Sequence, residues 1–302
     1  MEIMIKHLRR YNKKLDPIYQ DSRDITMLSS GSKGNSLIIT PYQTIIDLGM
    51  AYKHYTKSIL KHIKYICLTH EHGDHLNVST INQIMKNEPH ITFIMQHNLY
   101  QIVKQKFKDK HYDLKKSQIK IINPSETLEC DLNNDEVLLI TAHQTDHGDI
   151  TNTAYTLKGS IDVDTYETPT LLYASDLIDT NKTKNGQGLP QNEKYDLMFL
   201  EANYDHDIIL TQLYHYVDSP DVRLNNQQKS NVKQQLLDLK ESFDVNELSQ
   251  LLETKLYAPK AKGNLRHLSE HQAFRYVNQH LSDHGAFIPL HASSEFGTFN
   301  QK

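Results

Sequence analysis

A chain of 302 residues with 38% hydrophobic content, no tryptophan and a mean hydropathy of -0.61 can bury a sizeable core. It contains no apolar run near the ~18 residues of a membrane helix. Its net charge of -4 excludes a global basic field, so any polyanion would have to be met by a local patch. Cys67 and Cys130 are too few for a disulfide framework, and the start from Met1 to Tyr11 interleaves charge with apolar residues, so the expectation is a cytoplasmic protein with free thiols.

Along the chain, Ile25 to Leu28, Ser36 to Thr40 and Thr44 to Asp47 read as short strands separated by Gly31, Gly34 and Pro41, a pattern for antiparallel hairpins. A helix is expected over Tyr52 to His62, then a buried strand from Tyr65 to Leu68. Helices over Ser79 to Lys86 and Asn98 to Lys108 bracket a strand at Ile91 to Met95, and another strand follows at Ile119 to Ile122. Strands at Val137 to Ile140, Leu171 to Ala174 and Leu197 to Leu200 each run into a polar residue able to bind a metal: His143, Asp176 and Glu201. Sandwiches of α/β type assemble active sites from such strand-end loops. Residues 205–263 differ, being rich in Gln, Lys, Asp and Leu, with Val232 to Leu239 and Val245 to Leu256 patterned as amphipathic helices. They read as a helical insertion in a single 302-residue domain. The polar stretch Asn181 to Gly188 reads as a loop.

Histidine is the compositional anomaly, with 18 copies. Three of them meet a carboxylate in His70-Glu71-His72-Gly73-Asp74-His75, directly after the buried strand. Imidazole nitrogens with a carboxylate oxygen suit zinc-like divalent ions, and four ligands from so short a turn suggest two ions rather than one. A solvated histidine-rich turn is the plain alternative.

The motif resembles that of the metallo-β-lactamase superfamily, histidine-any-histidine-any-aspartate-histidine after a buried strand. The likeness extends to Ser29 through Ser36, to Ile45-Ile46-Asp47-Leu48-Gly49, to His143 in Thr141-Ala142-His143 and to Asp176 in Tyr173-Ala174-Ser175-Asp176. Glu201 through Asp205 and Arg266-His267-Leu268-Ser269 are similar to segments of the YycJ/WalJ-like, exonuclease-type branch related to RNase Z. This resemblance implies a four-layer αββα sandwich and two divalent ions, Zn or Mn. One would be held by His70, His72 and His143, the other by Asp74, His75 and His267, and Asp176 would bridge them. It further implies hydrolysis by a hydroxide held between the ions, with Asp74 helping to orient it. The nearest activity it implies is a phosphodiesterase or nuclease with nucleic acid as substrate, and no membrane partner.

His271 lies four residues beyond His267 and competes for the same role, the Arg-His-Leu-Ser match favouring His267. His291 is expected either to contact a leaving group or to be a structural histidine near the site, and His147 to be a loop residue or a support. Asp47 is expected to support the metal loop by hydrogen bonds. Asn35 fits either a phosphate-binding turn or a plain tight one. Lys33, Lys53, Lys57, Arg266 and Arg275 are candidates for a local basic channel. Neither cysteine falls at a strand-end ligand position, which argues against antibiotic hydrolysis. The competing expectations are a thioester or lactone hydrolase with a compact apolar pocket, and a non-catalytic member that binds a partner through residues 205–263.

Overall fold

The computed structural model describes residues 9–10, 25–31, 33–132, 136–148, 150–160, 169–183 and 186–293. Ser32 of the quoted hairpin, residues 184–185 of the polar loop, Ser294 and most of the charged start lie outside them. Among the described residues the strands form two sheets. The first runs in chain order from β1 (Arg9–Arg10) through β2 (Ile25–Ser29), β3 (Ser36–Ile39), β4 (Thr44–Ile46), β5 (Tyr65–Cys67) and β6 (Thr92–Met95) to β7 (Ile119–Ile121). The second is ordered β13-β12-β11-β10-β9-β8, where β8 is Thr127–Asp131, β9 Val137–His147, β10 Ile150–Ser160, β11 Leu171–Ala174, β12 Tyr195–Glu201 and β13 Leu281–Leu290.

The sheets pack face to face. Leu37, Ile39, Ile46, Cys67 and Ile94 of the first meet Leu138, Ile140, Tyr155, Leu171, Tyr173 and Phe199 of the second in one buried cluster. Strands covered on both faces read as continuous apolar runs, which is why β3, β4 and β11 are buried at every position. The outer face of the first sheet is covered by α1 (Lys57–Leu60), α2 (Val78–Asn87) and α3 (His97–Asp109), the last burying Leu99, Val103 and Phe107 at helical spacing. The outer face of the second is covered by Ala273, Tyr276 and Val277 of α8 (Glu270–His280), whose start is fixed by a Ser269/Gln272 capping box. The layers are therefore α, β, β and α, as the resemblance implies. Between β12 and α8 stand α4 (His206–Tyr216), α5 (Asn226–Glu241), α6 (Val245–Thr254) and α7 (Pro259–Asn264), with a hydrophobic cluster of their own. No helix among the described residues is long and apolar enough to cross a membrane.

Strand direction positions the site. β4, β5 and β6 are mutually parallel, as are β11, β12 and β13. β9 and β11 both pair antiparallel with β10, so β9 runs the same way as β11. Asp47, the His70–His75 loop, His147, Asp176, Glu201 and His291 thus all lie at or just beyond the C-terminal ends of strands.

Candidate metal centre

Six imidazoles and four carboxylates converge at these strand ends. His70, His72 and His147 bring one nitrogen each within 4.8 Å of one another. Asp74, His75 and His291 do the same, as do His70, His75 and Asp176, and so do Asp176, Glu201, His267 and His291. His70 Nε2 lies 3.1 Å from His72 Nδ1, near the ~3.3 Å separating two nitrogens at 2.0–2.1 Å on one tetrahedral ion.

In two places the structure brings together a different set of side chains from the one expected. His143 stands inside β9, away from the cluster, its Nε2 2.8 Å from Thr156 Oγ1; burial holds its pKa down at about 4. β9 does not stop at Ile140 but continues to His147, and four residues of strand carry the chain about 13 Å further, so His147 is the histidine delivered to the site. The signal for this was Gly148, the turn residue that closes the strand. The second difference concerns Asp74 and His75, which gather with His291 and not with His267, while His267 lies in a further group with Asp176, Glu201 and His291. His267 instead turns Nδ1 to Glu201 Oε1 at 2.7 Å, with Asp176 Oδ1 at 3.5 Å. His271 stacks on His206 with ring centres 4.5 Å apart and takes no part. Glu201, expected from sequence only as a metal-capable residue at a strand end, is fully buried and fixed by the backbone N–H of Leu177 donating to Oε2 at 2.7 Å.

Beneath the cluster lies Asp47. It accepts from the Thr69 backbone N–H at 2.9 Å, from Thr69 Oγ1 and from His75 Nδ1 at 2.6 Å. A hydroxyl donates once; with the Thr69 proton on the acceptor-only carboxylate, His70 Nδ1 at 2.9 Å must donate to Thr69 Oγ1. Both His70 and His75 are thereby held with Nε2 facing the site, one orienting carboxylate serving two ring tautomers. Asn35, buried, closes the other side: its Nδ2 lies 2.7 Å from His75 Nε2 and 3.3 Å from Asp74 Oδ2, and its backbone N–H donates to the Asp74 carbonyl at 2.6 Å.

The electrostatics suit cations. Burial, then the neighbouring His75, pushes the pKa of His70 well below its ordinary value, and burial lowers that of His147, leaving neutral rings with lone pairs. Burial disfavours charge on His75 too, but Asp176 and Asp47 outweigh it and hold that pKa well above the ordinary one. Asp176, despite its burial, is held well below the carboxylate range by His75 and His291. His147 Nδ1 and His291 Nε2 are buried with no directed hydrogen bond, a costly state that a shared ion relieves, while Asp176 Oδ2 has His75 Nε2 at 2.6 Å. On donor chemistry and on these orphaned atoms, the residues fit divalent metal ions.

The backbone here is unusual. Asp47, Asp176 and His291 have φ of 61°, 53° and 55°, left-handed values that cost a non-glycine residue about 1 kcal/mol or more. Gly49 is needed for another reason: a Cβ there would lie 1.7 Å from the Asp74 carbonyl oxygen and 2.5 Å from Asn35 N. We expect Gly49→Ala to drive the Asp74 loop off Asn35, lowering stability by about 2 kcal/mol or more in urea unfolding together with metal content.

Beside His267 and His291 opens a cavity of about 580 Å³, lined also by Ser29, Ser30, Lys33, Asn203 and Asn264. Of the cations proposed from sequence for a channel, Lys33 lines it.

No curated protein matches the chain. Among solved structures, the metallo-beta-lactamase fold protein YhfI from Bacillus subtilis is 17% identical over 60% of this chain and 70% of its own, with a TM-score of 0.39. Human tRNase Z, short form, is 13% identical over 89% and 92% at 0.47, and Zn(2+)-bound PqqB from Methylobacterium extorquens is 10% identical over 59% and 63% at 0.38. A family model described as the beta-lactamase superfamily domain matches residues 47–217, more than half of the chain and most of the ligand-bearing segments. On that match the chain belongs to the beta-lactamase superfamily, as a hydrolase of the metallo-β-lactamase fold.

Proposed function

We propose that the protein is a di-metal phosphodiesterase acting on nucleic acid. One ion is assigned to His70, His72 and His147, the second to Asp74, His75 and His291, with Asp176 shared between them. Histidines with carboxylates accept zinc or manganese. Bound ions supply an activated water near neutral pH and offset negative charge developing on the phosphate oxygens. The chain's own groups do the rest. Asp47 and Thr69 lock the ring tautomers. Glu201 holds His267 charged: burial opposes the cation, but the carboxylate 2.7 Å away outweighs it and raises the pKa to about 9. An imidazolium at the cavity wall is suited to give its proton to a departing oxygen.

The observation that carries the substrate class is the lining of that cavity: hydroxyls, amides, glycines, imidazoles and Lys33, with Ala292 the largest apolar side chain. A thioester or lactone hydrolase calls for an apolar pocket, whereas these groups offer hydrogen-bond donors and one cation to a phosphate. The test is hydrolysis by the Mn²⁺- or Zn²⁺-loaded protein of bis(p-nitrophenyl) phosphate and of labelled DNA and RNA, beside a panel of thioesters and lactones. Metal-dependent phosphodiester cleavage is expected; turnover confined to the thioesters or lactones overturns the reading.

A further inference from the structure

The segment from Lys255 to Arg266 joins the helical insertion to the metal centre. It carries four cations, Lys255, Lys260, Lys262 and Arg266, and no carboxylate, in a chain of net charge -4. Its far end enters the site, since Gly263 and Asn264 at the end of α7 line the cavity with His267 and His291. Its near end presents Tyr257, which at 84% exposure stands out twice as far as any other exposed large hydrophobic among the described residues. The preceding Leu256 is fully buried in the insertion's core, and Tyr216 donates its hydroxyl to the Tyr257 carbonyl at 3.1 Å. The backbone is thus anchored while the ring faces outward. Lys262 is paired with Glu253 at 2.7 Å and Lys255 donates to Gln235 at 2.9 Å, while Lys260 and Arg266 are exposed.

We propose that Tyr257 and this cationic segment form a docking track for single-stranded nucleic acid leading into the cavity, an inference that rests on the phosphodiesterase reading above. A lone exposed ring is commonplace on protein surfaces; its position is what gives it meaning here. Binders of single strands combine a positive groove for the backbone with aromatic rings on which unpaired bases stack; this segment carries both kinds of side chain, and α7, ~9 Å long and begun two residues after Tyr257, ends in the lining of the cavity. Bases of a duplex are already stacked on their neighbours and offer no free face to such a ring. A protein partner is disfavoured because the segment exposes no second large apolar side chain to form the core of an interface. Lys33 adds a cation to the lining of the same cavity.

The experiment measures fluorescence anisotropy of a labelled single-stranded oligonucleotide on the EDTA-treated full chain, and hydrolysis of bis(p-nitrophenyl) phosphate and of the oligonucleotide by the metal-loaded chain. Tyr257→Ala is expected to raise Kd about 5- to 100-fold, with Tyr257→Phe within about twofold because stacking needs the ring and not the hydroxyl. Reporter hydrolysis should match the unsubstituted protein in both. Replacing Lys260 and Arg266 together by Gln should flatten the slope of log Kd against log salt by about 1.4. Equal binding by Tyr257→Ala and the unsubstituted protein overturns the track while leaving the phosphodiesterase reading intact if the oligonucleotide is still cleaved. Absence of single-strand binding by the unsubstituted protein also overturns the track, and joined to an absence of reporter and oligonucleotide hydrolysis it removes the parent reading as well.

Discussion

His147→Ala should abolish metal retention and hydrolysis, while His143→Gln should leave both near the level of the unsubstituted protein. The two histidines are four residues apart on one strand, yet His147 faces His70 and His72 with ring centres 5.5 and 5.1 Å away, and His143 bonds Thr156 behind them. Removing one of three ligands should weaken metal binding by more than the 10–100-fold typical of a residue that only orients a ligand. Elemental analysis after dialysis against a chelator reads this directly, and loss of metal from His143→Gln with retention in His147→Ala would reverse the assignment. A separate signature belongs to His143. Its pKa is about 4 when folded and about 6.5 when free, so on acidification the unfolded chain takes up the proton first. The stability His143 contributes is present above about pH 6.5 and is lost as pH falls towards 4, by roughly 1–3 kcal/mol. His143→Gln, which can keep a bond to Thr156, should lack that component, visible as a shallower fall in urea midpoint between pH 7 and 4.5.

Disabling the Glu201–His267 pair should slow cleavage of nucleic acid by about 10²–10⁴-fold with metal content unchanged. The effect should depend on the leaving group. A nucleoside alkoxide needs a proton as it departs, whereas p-nitrophenolate leaves readily as an anion, so His267→Ala should depress oligonucleotide cleavage far more than hydrolysis of bis(p-nitrophenyl) phosphate. Glu201→Gln retains an acceptor oxygen for Leu177 N but removes the charge that sustains the imidazolium. The pKa of His267 should then fall from about 9 towards its ordinary value, moving the alkaline limb of the pH–rate profile to lower pH. Equal losses on both substrates, or metal loss in His267→Ala as severe as in His147→Ala, would instead make His267 a ligand.

Much of this was legible in the sequence, for identifiable reasons. The short apolar strands bounded by turns were readable from pattern, the αββα order was implied by the resemblance of the His70–His75 motif, and Asp47, expected from sequence as a support, ends a strand that pairs with the one leading into that loop. The misreading of His143 came from ending β9 where its apolar alternation fades, at Ile140. Strand pairing with β10 over eleven residues continues past that point, and a partner strand is invisible to periodicity. β13 was missed because Leu281 to Leu290 carries Ser282, Asp283 and His284 within it, so its edge position hid the pattern that Leu200 and Glu201 of β12 complete by pairing with Pro289 and Leu290. His291 was singled out from sequence, but as a leaving-group contact or a structural histidine and not as a metal ligand. His267 shows a different difficulty: only the position of Glu201 reveals what its nitrogen touches.

Asp47, Asp176 and His291 set stability against activity at three points of the backbone. Each sits in a left-handed conformation that glycine tolerates freely and asparagine well, so either residue would ease local strain. Neither would supply the carboxylate or imidazole that the centre needs. A library of this chain screened for thermal tolerance alone should therefore drift towards glycine or asparagine at these positions and lose its metal centre while keeping its fold. Gln43, His111 and Ser125 share this conformation away from the site, so there the same drift should cost the metal centre nothing.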